Sequence, residues 1–114
     1  NKVYRSKGYN IFNDDLKMVI LVNEGSASAS EILAGALMEH DIATVIGRQT
    51  FGKGSVQELI SVTNDTSLKV TIAHWLTPLG TSISEGGLTP DIVVEESKDG
   101  EDAILQKAIE YLMR

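Results

Sequence analysis

The fold is decided by residues 17–40, which read KMVILVNEGSASASEILAGALMEH. Residues 17–22 are mostly β-branched and other apolar residues in a continuous run, which is typical of a strand buried on both faces in a parallel sheet. The small residues that follow let the backbone approach a neighbouring segment or a ligand closely. From Glu31 onward, apolar side chains recur at helical spacing in an Ala-rich segment. This stretch therefore predicts a strand, a tight junction and a helix.

The next apolar segment, residues 43–47, predicts a second strand, so the order strand–helix–strand indicates a parallel βαβ unit. Three further strands are predicted, at residues 56–62, 68–76 and 92–94. The turn-forming residues 64–67 join the first two of these into a hairpin. An apolar stripe over residues 101–113 predicts a last helix, with Asp99 as its cap.

Composition narrows the classes of function. A length of 114 residues fits one domain. The net charge of −6 argues against nucleic acid as a partner, because phosphate binding needs a basic face. There is no cysteine, which excludes disulfides and thiolate chemistry. No apolar stretch reaches the roughly 18 residues of a membrane helix, and residues 1–8 carry charge without the apolar region of a signal peptide.

Ser28 stands where the predicted strand passes into the predicted helix, and two interpretations fit it. Ser28 and Glu31 have the spacing of a capping box, in which each side chain accepts a backbone N–H. The position also suits a nucleophile, because the first amides of a helix and its positive dipole end favour an oxyanion beside the hydroxyl. Ala29, which has no bulk, is a candidate donor of one such N–H. In open parallel sheets, ligands bind beyond the carboxyl ends of the strands, which is where Ser28 is expected to lie.

A serine nucleophile needs a base. His40 lies at the far end of the predicted helix, roughly 18 Å from Ser28 at about 1.5 Å per residue, so we interpret it as a helix C-terminal residue. His74 is not excluded by spacing, although a plain strand histidine also accounts for it. Lys53 is flanked by two glycines that remove bulk around it. A lysine is a base only when neutral, which requires removal from water, and a turn lysine pointing into solvent is the alternative.

A competing interpretation concerns residues 47–53, GRQTFGK, which match the first seven positions of a phosphate-binding P-loop. The eighth position needs a Ser or Thr hydroxyl for magnesium, and here it is Gly54. A helix should follow, whereas residues 55–62 predict a strand. Both differences argue against a nucleotide site.

Several segments, in order, resemble the C-terminal-processing (tail-specific) serine peptidases. They are residues 19–37, 45–47, 50–57, 68–71, 77–80 and 87–91. The most specific feature is Ser-Ala-Ser-Ala-Ser-Glu at 26–31, followed by the Gly-Lys-Gly lysine 25 residues after Ser28.

The resemblance implies a Ser–Lys dyad with Ser28 as nucleophile and Lys53 as general base. It also implies that Gln57 orients the lysine and that the Ala29 N–H is one oxyanion donor. The implied fold class is α/β, a Clp-protease/crotonase-like core with a mixed sheet and flanking helices.

The resemblance also suggests a setting for the activity. The implied substrates are the C-terminal tails of proteins, and family members act in the bacterial envelope or the plastid lumen. We therefore expect an exported enzyme, periplasmic, envelope-bound or extracellular, that is associated with a membrane or envelope. We expect no cofactor or metal, and the resemblance is compatible with a homo-oligomer.

The sequence departs from the family pattern in two respects. The Arg-x-Asn-x-Gly-Gly segment that supplies the second oxyanion amide is absent, as are a PDZ domain and N-terminal helices. Residues 74–76, HWL, stand where the family often has two aromatic residues before Thr-Pro. We therefore expect residues 1–114 to be a single domain, the C-terminal portion of a catalytic core, that carries the dyad but cleaves little alone. The alternative is a non-catalytic protein-binding or assembly module on the same fold.

Overall fold

The computed structural model describes residues 3–5, 7–8, 15–95 and 102–114. Within them the chain forms, in order, β1 (Val19–Val22), α1 (Ala29–Glu39), β2 (Thr44–Gly47), β3 (Ser55–Ser61), β4 (Ser67–His74), β5 (Ile92–Val93) and α2 (Ala103–Leu112). The elements that the sequence predicts from residue 17 onward are present, with ends that differ by a few residues.

The parallel βαβ unit is confirmed. β1 pairs in parallel with β2, from Val19 opposite Thr44 to Val22 opposite Gly47, and β5 joins the far side of β2. The prediction that the first strand is buried on both faces was wrong for Leu21, which is 41% exposed. β1 is an edge strand of this sheet, and the described residues leave the Leu21 side chain partly uncovered.

β3 and β4 form the predicted antiparallel hairpin, closed by a turn in which Val62 N–H donates to Thr66 O. A register irregularity lies between Val56 and Gln57. Parallel and antiparallel pairing are therefore both present, but they are divided between a three-stranded and a two-stranded sheet. The α/β fold class is confirmed, with its mixed pairing in two sheets.

The core lies between the parallel sheet, helix α1 and the loop before β5. Its central cluster consists of Val22, Ala34, Val45, Ile83 and Leu88, each less than 5% exposed. Gly35 lets α1 pack closely, because a Cβ there would lie 3.1 Å from a Thr77 methyl and 3.3 Å from Leu88. Small residues on α1 thus decide how near the helix comes to the core.

Helix α2 is capped by Asp102, whose side chain accepts the Leu105 N–H at 3.0 Å. The predicted cap, Asp99, and the predicted first residue, Glu101, lie outside the described residues. The Tyr111 hydroxyl meets the Thr44 hydroxyl at 2.9 Å and joins α2 to β2.

In the described part of the chain, neither helix has the length and apolar character needed to cross a bilayer. Among the same residues, no three His, Asp or Glu side chains are grouped as metal ligands would be.

Candidate active site

The junction between β1 and α1 places Ser28 at the carboxyl edge of the parallel sheet. Ser28 is the N-cap of α1 and is exposed to solvent. Its backbone has φ 56° and ψ −116°, the conformation of the first central residue of a type II′ turn, where glycine is preferred. A serine held there is strained, and strain of this kind costs on the order of 1–3 kcal/mol. The surrounding contacts must therefore hold this residue in place.

The strongest of these contacts involve Glu31, whose side chain is fully buried. Residues 28 and 31 form the predicted capping box, and its clearest bond is the Ser28 N–H donating to Glu31 Oε2 at 2.8 Å. The same carboxylate accepts three more hydrogen bonds: from the Thr50 hydroxyl at 2.5 Å, Gly52 N–H at 2.7 Å and Lys53 N–H at 2.9 Å.

These four donors decide the charge of Glu31. Burial by itself would raise the pKa of the carboxyl, since the charged form loses water. The hydrogen bonds from Thr50, Gly52, Lys53 and Ser28 together outweigh burial and leave the pKa of Glu31 below its ordinary value. Glu31 is therefore a buried carboxylate rather than a buried acid at neutral pH.

The loop that carries Lys53 reaches the same place from β2. Gly52 has φ +89°, and a Cβ there would lie 2.9 Å from Gly87 N. A Cβ on Gly54 would lie 2.7 Å from Ser84 Oγ. The space freed by the two glycines is thus taken by residues 83–87. The side chain of Lys53 is exposed, so the described residues do not remove it from water.

The structure brings residues 28 and 53 together through their backbones. Both N–H groups donate to one oxygen atom, Glu31 Oε2, and the Phe51 N–H donates to Ser26 O at 2.9 Å. Ala29 is the first residue of α1, where no intrahelical acceptor exists for its N–H. Gln57 lies on β3 opposite Thr71 and is exposed.

The two histidines have structural partners. His40 is the C-cap of α1, and its N–H donates to Ala36 O at 3.2 Å, which confirms its interpretation as a helix C-terminal residue. His74, at the end of β4, has Nδ1 3.2 Å from Ser84 Oγ.

The loop over residues 47–53 is not shaped as a P-loop. A strand, β3, follows it where a P-loop requires a helix. The N–H groups of Gly52 and Lys53, which would have to face a phosphate, donate to Glu31 instead.

Sequence reasoning missed Thr50 and the wider role of Glu31, which it treated only as half of a cap. Thr50 is 4% exposed, and its hydroxyl donates to Glu31 and accepts the Leu88 N–H at 2.7 Å. The sequence did carry a signal, because Glu31 stands among small and apolar residues that are expected to be buried. A buried carboxylate needs hydrogen-bond partners, so partners from another segment could have been expected.

The chain is similar to known proteins over most of its length. A model of peptidase family S41 matches residues 1–94. A carboxy-terminal-processing protease of Bartonella bacilliformis is 55% identical over 83 residues, which are 73% of this chain and 19% of that protease. A probable CtpA-like serine protease of Staphylococcus epidermidis is 45% identical over 84 residues, 74% of this chain and 17% of that protein.

A solved structure of a photosystem II D1 C-terminal processing protease superposes with a TM-score of 0.66 and 40% identity, covering 69% of this chain and 20% of that one. The fold and the sequence thus define a peptidase domain. This chain belongs to peptidase family S41, as the resemblance to C-terminal-processing peptidases predicts. It spans about a fifth of the length of the curated relatives that it matches.

Proposed function

We propose that the protein carrying this chain is a serine endopeptidase that cleaves near the C-terminal tails of other proteins. Ser28 is the nucleophile, Lys53 the general base, Gln57 the residue that orients the lysine, and Ala29 the donor of one oxyanion N–H. The observation that carries the proposal is the exposed, strained Ser28 at the start of α1. The backbone N–H groups of Ser28 and Lys53 both donate hydrogen bonds to the carboxylate of Glu31.

The chemistry follows from these positions. Neutral Lys53 takes the proton of the Ser28 hydroxyl as Oγ bonds to the scissile carbonyl carbon. The Ala29 N–H and the helix dipole stabilise the oxyanion. The lysine then gives its proton to the leaving amine as the C–N bond breaks, and water hydrolyses the ester with Lys53 again as base.

The exposure of Lys53 sets a condition for this reaction. A lysine acts as a general base only when it is removed from water. We infer that substrate, or protein outside these 114 residues, covers Lys53 during turnover. The relatives are about four times as long as this chain, and their additional residues include candidates for such a cover.

Location and partners are part of the proposal. Proteins with accessible C-terminal tails are the substrates, and the whole protein is exported and associated with a membrane or envelope. The proposed function is compatible with a homo-oligomer. Residues 1–114 form a single domain, the C-terminal portion of the catalytic core.

The test is turnover of β-casein, an unstructured protein, by the full-length protein. Ser28→Ala and Lys53→Ala are each expected to lower kcat by at least about 10³-fold, since they remove a member of the catalytic unit. The matched controls are Ser30→Ala, two residues along α1, and Lys69→Ala, an exposed lysine on β4. They are expected to keep the wild-type rate.

Folding is checked by circular dichroism, because the loss of a serine N-cap costs about 0.5–2 kcal/mol by itself. Turnover retained in a folded Ser28→Ala or Lys53→Ala variant would rule out the dyad. Absence of turnover in the folded wild-type protein would favour the non-catalytic binding module. The 114-residue chain alone is expected to cleave poorly, since losing one oxyanion donor costs about 10²–10³-fold. Robust cleavage by that chain would overturn this part of the proposal.

A further inference from the structure

Among the described residues, Glu31 contacts both segments assigned to catalysis and has no role in the chemistry proposed above. Its two oxygens divide four donors evenly. Oε1 accepts from the Thr50 hydroxyl and Gly52 N–H, and Oε2 accepts from Ser28 N–H and Lys53 N–H. Every donor belongs to the serine segment or to the lysine loop.

A third segment is connected through Thr50. Its hydroxyl hydrogen is used toward Glu31, while its lone pairs accept the Leu88 N–H, and the Thr50 N–H donates to Leu88 O at 3.1 Å. Gly87 also packs against the backbone of Thr50, so closely that a Cβ at position 87 would lie 2.5 Å from Thr50 O. The loop before β5 therefore holds Thr50 in the orientation that points its hydroxyl at Glu31.

We propose that Glu31 is a positioning residue, whose buried carboxylate fixes the Ser28 segment and the Lys53 loop in the single relative arrangement that catalysis needs. The proposal rests on the assignment of Ser28 and Lys53 made above. Glu31 is buried beneath both segments and reaches them through backbone N–H groups, so it acts through them and not on the substrate.

The geometry requires a carboxylate and not merely a polar side chain of the same size. Glutamine has one oxygen and one NH₂ group, so one pair of donors must face another donor. If the NH₂ group replaces Oε2, both the Ser28 and Lys53 N–H groups lose their acceptor. If it replaces Oε1, the Thr50 hydroxyl can turn to accept from it, but the Gly52 N–H cannot.

The decisive experiment compares Glu31→Gln with Glu39→Gln in the full-length protein acting on β-casein. Glu39 is a matched control, because it lies on the same helix and its carboxylate also accepts a loop N–H, that of Leu79 at 2.7 Å, but at the far end from Ser28. Glu31→Gln is expected to lower kcat on the order of 100-fold, as a small displacement of catalytic groups does, with KM changed less than about threefold. Glu39→Gln is expected to keep both constants.

A structural readout accompanies the kinetics. Amide hydrogen exchange is expected to be faster at Ser28, Gly52 and Lys53 in Glu31→Gln than in the wild type, while the amides of β2 keep their protection. Faster exchange throughout the core of Glu31→Gln, including the amides of β2, would instead indicate a general loss of stability and would overturn the inference.

The outcomes separate cleanly. A folded Glu31→Gln variant with wild-type kcat, or with unchanged exchange at those three amides, would overturn the inference. If Glu31→Gln does not fold, Thr50→Val replaces it, because valine has nearly the shape of threonine but no hydroxyl; wild-type kcat in that variant would overturn the inference as well. If instead Ser28→Ala keeps its activity, the proposed function fails, and the exchange data still decide whether Glu31 holds the two segments together.

Discussion

At the scale of single residues, Glu31 shows how four hydrogen bonds can decide the protonation state of one buried carboxyl group. Carboxylates are seldom fully buried unless they are paired, and here the compensation comes from three backbone N–H groups and one hydroxyl rather than from a cation. Lys53 is the titratable residue among these donors, and its contact with Glu31 is made through its backbone.

Glu31 makes the stability of the protein depend on pH in a defined direction. Its pKa is lowered on folding, so its contribution is complete above the ordinary glutamate pKa of about 4.3 and is lost as the pH falls through the folded value. We expect the difference in unfolding free energy between wild type and Glu31→Gln to be about 1–3 kcal/mol at pH 7 and to shrink below about pH 4.

Urea unfolding followed by circular dichroism at a series of pH values between 7 and 3 measures this difference. A difference that stays constant over the whole range would contradict the assignment of Glu31 as a charged acceptor in the folded state.

At the scale of secondary-structure elements, local sequence carries most of the information. The apolar run before Ser28, the helical period after it and the turn residues 64–67 each act over a few residues, and the corresponding elements form as predicted. The start of α2 was placed less well. The sequence predicts Asp99 as its cap, whereas the structure has Asp102 in that position.

The capping role of Asp102 is testable by itself. Asp102→Ala is expected to lower the free energy of unfolding by about 1 kcal/mol, because the Leu105 N–H loses its acceptor. Asp102→Asn is the control and should lose only a few tenths of a kcal/mol, since asparagine caps nearly as well. Equal effects of the two substitutions in urea unfolding would argue against this hydrogen bond as the source of stability.

At the scale of the whole molecule, the stabilising contacts are unevenly distributed. The parallel sheet, α1 and the loop before β5 enclose the buried cluster. The β3–β4 hairpin is exposed along nearly its whole length, including Leu59, Leu68 and Ile72. We expect the cluster to supply most of the free energy of folding, and the hairpin to supply little.

Two identical substitutions test this division. Ile83→Ala, at a side chain 1% exposed, is expected to cost about 2–5 kcal/mol of unfolding free energy, because it leaves a cavity in the core. Ile72→Ala, at a side chain 55% exposed on β4, is expected to cost less than about 1 kcal/mol. Similar losses in urea unfolding would show that the hairpin is packed as tightly as the core.

By itself, the sequence determined the βαβ unit, the hairpin and the place of Ser28 at a strand–helix junction, because hydrophobic period, turn residues and caps act between near neighbours. The resemblance carried by residues 26–31 and by Lys53 also identified the peptidase family. Only the tertiary structure decided that Ile83, in a loop, belongs to the core and that the Lys53 side chain is exposed. It also decided that Glu31 joins segments 21 and 22 residues away. Burial and hydrogen-bond partners of this kind depend on how distant segments pack, which no local pattern specifies.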